Sequence, residues 1–146
     1  PIDQIGIVTY ASNAQTLLKS TNVSDQKMIK TEISKLRAAG FTSGGAGIKL
    51  GFKEAKKSFI DGGVNQVVVI TDGAFNKNDG NYERIIKKYH KKGIILNVIG
   101  VKSDEKSSNK MTEVTKIGGG TFIPFNNLDE AEVNLKQAIK TSALKD

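Results

Sequence analysis

Two short stretches carry side chains whose type and setting suit chemistry. Asp72 follows the run Val67-Val68-Val69-Ile70-Thr71 and precedes Gly73. A continuous β-branched run is the pattern of a parallel strand covered on both faces. A carboxylate at the C-terminal end of such a strand stands where open α/β sheets bind their ligands. There it can serve as a general acid or base, or as a ligand for magnesium. The second stretch is Thr42-Ser43-Gly44-Gly45-Ala46-Gly47, a glycine-rich loop with hydroxyls at its head. Plainer readings stand beside both: Asp-Gly after a strand is a common turn former, and Thr42 suits the N-cap region of the helix that follows.

Other chemistries are excluded or weak. The glycine loop follows a helical pattern rather than a strand and lacks the Gly-x-x-x-x-Gly-Lys-Ser/Thr spacing, so it is no phosphate cradle. His90 is the only histidine and lies among Lys87, Lys88, Lys91 and Lys92, which leaves no catalytic dyad or multi-histidine metal site and reads as a surface position. With no cysteine there is neither a disulfide nor a thiolate zinc site. Ser43 either adds a hydroxyl near Thr42 or bonds its own backbone, and Asp79 and Asp104 read as solvated loop charges. Phe41 and Phe75 flank the two stretches, as an apolar rim or as core residues.

The elements that must position Asp72 and Thr42 follow from periodicity. Ile5 to Tyr10 and Gln15 to Leu18 predict two strands joined as a hairpin by the turn at Ser12-Asn13. Ser24 is placed to cap a helix with Ile29, Ile33 and Leu36 on one face, ending at Gly40. A second helix carries Ile48, Phe52, Ala55 and Phe59 and closes at Gly62-Gly63. After the Val67 strand, Tyr82, Ile85, Ile86 and Tyr89 mark a helix ending at Gly93, and Ile94 to Ile99 form a strand parallel to it. Ser107 or Ser108 opens a helix through Met111 and Val114, broken by Gly118-Gly119-Gly120. Thr121 to Phe125 is an edge strand, where Pro124 is tolerable. Asn127 and Glu130 have capping-box spacing before a last helix striped by Leu128, Ala131, Leu135 and Ile139. Alternating strands and helices predict an α/β fold, a doubly wound, mostly parallel sheet flanked by helices.

Composition bounds the rest. A chain of 146 residues suits one domain over 1–146, able to bury roughly two thirds of its unfolded surface. Its 38% hydrophobic and 25% charged residues are ordinary for a globular protein. The net charge of +7 comes from lysines spread over every predicted helix, without an Arg-rich run or interleaved aromatics, which argues against nucleic acid. No apolar run approaches the ~20 residues needed to span a bilayer, so direct membrane insertion is not expected.

Taken in order, the Ile5 strand with its Ala-Ser-Asn turn, the loop Gly-Phe-Thr-Ser-Gly-Gly-Ala-Gly-Ile and the strand Val-Val-Val-Ile-Thr-Asp-Gly-Ala-Phe-Asn resemble a von Willebrand factor type A domain. The chain is most similar to the bacterial type described as related to the calcium-activated chloride channel group. That resemblance implies a Rossmann-like fold and a metal-ion-dependent adhesion site holding Mg²⁺, or Mn²⁺ or Ca²⁺. Matched by motif, the site's threonine is Thr42 and its aspartate is Asp72. The family's Asp-x-Ser-x-Ser motif occurs nowhere in the chain. Since the family carries it after a first central strand, the expectation is a domain that begins one strand and one helix late, with an incomplete ion site.

The function implied is that of a binding module and not an enzyme, in which the ion bridges to an acidic residue of a protein ligand. The implied setting is bacterial and extracytoplasmic or cell-envelope associated, in adhesion or assembly. Two alternatives remain: a metal-independent structural or oligomerising domain using exposed strand edges, and a Rossmann-like enzyme using Asp72.

Overall fold

The computed structural model describes residues 3–37, 43–73, 75 and 81–143. The chain divides into two compact units, residues 1–59 with 75–80, and residues 60–74 with 81–146.

In the first unit, β1 (Gln4–Tyr10) and β2 (Ala14–Asn22) pair antiparallel, with Tyr10 opposite Ala14 and Gln4 opposite Asn22. The expected hairpin is therefore present, with a longer second strand. Helix α1 (Gln26–Ser34) starts one residue later than Ser24 predicts. Asp25 is the cap, its carboxylate accepting the Met28 N–H at 3.3 Å, while the Ser24 N–H donates to Asn22 Oδ1 at 2.9 Å. The helix stops well before Gly40, where Arg37 Nη1 reaches back to the Ser34 and Leu36 carbonyls. Its expected apolar stripe is not core: α1 has no buried residue, and Ile33 and Leu36 are exposed.

Helix α2 (Gly44–Lys57) carries the core of this unit in Ile48 and Phe52, each worth roughly 1.5–3 kcal/mol of burial. Phe59, expected on the same stripe, lies beyond the helix and is exposed. Residues 44 to 47, Gly-Gly-Ala-Gly, are not a loop but the first turn of α2. Phe75 and Tyr10 explain them. A methyl group at Gly44 would overlap the Phe75 ring, and one at Gly47 would lie 2.7 Å from Tyr10 Cγ. The glycines at 44 and 47 let two aromatic rings approach the helix closely.

In the second unit, β3 (Asn65–Thr71), β4 (Ile94–Val101) and β5 (Gly119–Phe125) form a parallel sheet in the order β3-β4-β5. Helices α3 (Tyr82–His90), α4 (Glu105–Ile117) and α5 (Leu128–Ala143) follow the strands in alternation. This is the α/β architecture expected. Ile94, Leu96, Val98 and Ile99 of β4 are fully covered, together with Ile86 of α3 and Met111 and Val114 of α4. The central strand is thus the buried one, in keeping with its largely apolar run. Its one polar side chain, Asn97, is bonded on both sides: its amide donates to Gln66 Oε1 at 2.9 Å and its oxygen accepts the Thr121 N–H at 3.0 Å.

β3 is less covered than its sequence suggests. Val69 is buried, but Ile70 is 57% exposed, and among the described residues β3 pairs with β4 alone. β5 is the opposite edge, where Pro124 needs no donor on its open side. Helix α4 is capped by Asp104, not Ser107 or Ser108; its carboxylate accepts the Ser107 N–H at 2.7 Å. The capping box before α5 forms as expected, Asn127 Oδ1 accepting from the Glu130 N–H at 3.0 Å. On α5, Ile139 is 44% exposed, outside the stripe its spacing predicts.

Candidate functional site

Asp72 leaves the sheet at the carboxyl end of β3. The Thr71 hydroxyl fixes the exit. It donates to the Gly73 carbonyl at 2.8 Å and accepts the Gly73 N–H at 3.3 Å, closing a side-chain turn around Asp72. The Asp72 side chain projects out of that turn and is exposed. Gly73 has a negative φ and open space about its α-carbon. Its conformation therefore does not demand glycine.

The parallel register sets the ends of the three strands side by side, with Thr71 opposite Gly100 and Val101 opposite Phe125. The residues after each strand end surround an open cavity of about 520 Å³, lined by Asp72, Val101, Lys102, Phe125, Asn126 and Asn127. Phe125 is buried and Val101 half-buried, giving an apolar floor, while Asp72, Lys102, Asn126 and Asn127 form an exposed polar rim. Lys102 has φ +49°, the sole non-glycine residue in the left-handed region among the described residues. Its N–H donates to the Phe125 carbonyl at 3.0 Å, which ties the exit of β4 to the end of β5.

Of the residues singled out from sequence, Asp72 is therefore placed at a cavity. Thr42 lies outside the described residues, as do Phe41 and Asp79. Ser43 occupies the N-cap position of α2, and its N–H donates to the Ala11 carbonyl at 2.8 Å. Asp104 is exposed but is not an idle loop charge, since it caps α4. Phe75 is 4% exposed, a core residue and not a rim. His90 is exposed, with its ring against Gly119. Sequence reasoning passed over Lys102 and Asn126, and it took Asn127 as a cap only. Their signal is position: each stands just beyond the end of a parallel strand, like Asp72.

Among the described residues no three His, Cys, Asp or Glu side chains gather to hold a metal. Asp72 does offer an exposed carboxylate without an ion pair to any described side chain. Magnesium takes one or two carboxylates readily and keeps water on its remaining positions. No helix among the described residues is long and apolar enough to cross a membrane.

A family model described as von Willebrand factor type A domain matches residues 2–140. The chain is 33% identical over 141 residues to a protein of Escherichia coli strain K12 called uncharacterized protein YfbK. That match covers 94% of this chain and 24% of YfbK, so the chain spans about a quarter of its relative. Among solved structures, the conserved hypothetical protein BatB from Bacteroides thetaiotaomicron superposes with a TM-score of 0.78 at 22% identity, over 98% of this chain and 80% of BatB. Proximal thread matrix protein 1 from the mussel byssus, solved with a zinc-occupied MIDAS motif, gives a TM-score of 0.69 at 19% identity, over 97% of this chain and 36% of that one. At these identities the two structures share the fold.

Proposed function

Because the chain belongs to the von Willebrand factor type A domain family, we propose that it is a single protein-binding domain whose Asp72 carboxylate, with the Thr42 hydroxyl, gives oxygen ligands to a divalent ion. The observation that carries this reading is the placement of Asp72: an exposed carboxylate on a turn braced by Thr71, at the mouth of a cavity beyond the ends of three parallel strands. Such a crevice is where α/β sheets bind ligands. The zinc-occupied motif of the byssus protein supports a divalent ion in a domain of this fold.

When bound, the ion supplies a Lewis-acidic coordination position for an acidic side chain of a protein ligand. The chain's own part is to hold Asp72 outward, to keep it from neutralisation by neighbouring side chains, and to offer a rim without a general acid–base pair. The role is binding, with no bond made or broken. Mg²⁺ is the ion expected, and Mn²⁺ or Ca²⁺ are able to replace it. We place the protein at the bacterial cell envelope, outside the cytoplasm. Fractionation checks that placement, since recovery wholly in the cytoplasm contradicts it.

The test of the reading is ion-dependent binding in the natural protein. Asp72→Ala and Thr42→Ala each abolish Mg²⁺-dependent capture of its protein ligand while circular dichroism stays unchanged. Capture that survives both substitutions or EDTA overturns it.

A second reading has one observation in its favour: β3 pairs on one side among the described residues and leaves Ile70 more than half exposed. A large exposed apolar side chain on a surface strand invites association. Concentration-dependent oligomers that persist in EDTA and disappear in Ile70→Lys support assembly without an ion. A monomer at all concentrations removes it.

A further inference from the structure

We propose that Lys102 is a specificity-determining residue of this cavity, which receives the carboxylate of a glutamate or aspartate side chain on an extended peptide. The inference rests on the reading above that an acidic protein ligand is drawn to the Asp72 face, and it names what holds that ligand beside the ion.

The backbone supplies the first argument. A left-handed conformation is unfavourable for a residue with a Cβ, and glycine or asparagine takes it far more cheaply. Lys102 adopts it at φ +49°, and its N–H is held there by the Phe125 carbonyl at 3.0 Å. The cross-strand tie needs only a backbone N–H, which any residue but proline provides. The lysine side chain is thus not needed for the tie. Strain of this kind gathers at ligand clamps.

The cavity supplies the second. Its lining holds one ammonium, Lys102, and one carboxylate, Asp72, just beyond the carboxyl ends of the neighbouring strands β4 and β3. The amide of Asn126 and the apolar floor of Val101 and Phe125 complete it. With the ion on Asp72 the rim carries net positive charge, and Lys102 is a second cationic anchor. The floor accepts the methylene stem of the acidic side chain while the rim takes its carboxylate. A side chain with the same stem and a neutral amide meets the floor but leaves the ammonium unmatched, and that difference is the basis of discrimination.

The test is a titration of the ¹⁵N-labelled protein followed by NMR, with and without Mg²⁺. The probe is N-acetylglutamate N-methylamide, whose only charge is its side-chain carboxylate. Its control is the glutamine counterpart. In the wild type the Lys102 and Asn126 amides shift saturably with the glutamate probe and not with the glutamine one. Lys102→Ala weakens the probe about fivefold, the size of one exposed ion pair. Lys102→Gly weakens it equally while removing the left-handed penalty, so its fold is retained, and Lys102→Arg restores binding. Equal shifts with both probes, no saturable shift at Lys102, or wild-type affinity in Lys102→Gly each overturn the proposal. Mg²⁺ added alone separates the two readings. If it leaves Asp72 unperturbed while the probe still shifts Lys102, the ion reading fails and the Lys102 anchor stands. If it perturbs Asp72 and the probe ignores Lys102, the reverse holds.

Discussion

The Phe75 ring occupies the space that a side chain on Gly44 would need: a methyl group there would overlap Cδ1 and stand 2.7 Å from Cε1. Helix α2 begins at this glycine, so the two residues together fix how the helix enters. Gly44→Ala forces a buried aromatic off its position, and overpacking of that kind costs about 1–3 kcal/mol. Urea unfolding detects it as a lower midpoint. Phe75→Leu in the same background recovers part of the loss, because the two changes share one cavity. A Gly44→Ala protein as stable as the wild type contradicts the packing described.

Asp104 makes stability depend on pH. Its carboxyl is held below the usual aspartate value, first by the backbone N–H of Ser107, then by the Ser107 hydroxyl and by the charge of Lys106. A carboxyl depressed on folding stabilises fully above its unfolded value of ~3.9 and loses that effect as pH falls through the lower folded value. Asp104→Ala therefore melts below the wild type at neutral pH, and the gap closes as the solution is acidified past ~3.9. A gap that stays constant down to the acid limit removes Asp104 as an ionised cap.

How much of this was legible in the sequence differs from element to element. The unbroken β-branched run at Val67 and the strand-helix-strand pattern leading to Ile94 identify parallel strands, and Asp72 follows from standing at the end of the first. Caps lie one to four residues from where the sequence puts them. Near α1 and α4 the sequence offers Ser24 beside Asp25, and Ser107 and Ser108 after Asp104, and only backbone geometry decides which oxygen meets the free N–H groups. The stripe on α1 shows a different limit: spacing puts Ile29, Ile33 and Leu36 on one face but does not say whether anything covers it. Lys102 and Asn126 were out of reach for a third reason. They join Asp72 only through the registers that set Thr71 opposite Gly100 and Val101 opposite Phe125.

Asn97 links all three strands of the second unit from a position that is 1% exposed. Its amide and carbonyl serve Gln66 on β3 and the Thr121 N–H on β5. Asn97→Leu keeps the branched shape but leaves the part-buried Thr121 N–H without its acceptor, at a cost of about 1–3 kcal/mol. Hydrogen exchange locates the effect: the Thr121 amide loses protection while amides of β1 and β2 do not. Unchanged protection at Thr121 rules out the bridging role.

The central claim is that Asp72 is an ion ligand, and titration calorimetry of Mg²⁺ into the wild type and Asp72→Asn tests it most directly. The exchange removes the charge and leaves the shape of the turn braced by Thr71. Saturable heat is expected in the wild type, none in Asp72→Asn, and equal melting temperatures without the ion. Equal heats in both proteins, or none in the wild type, contradict it.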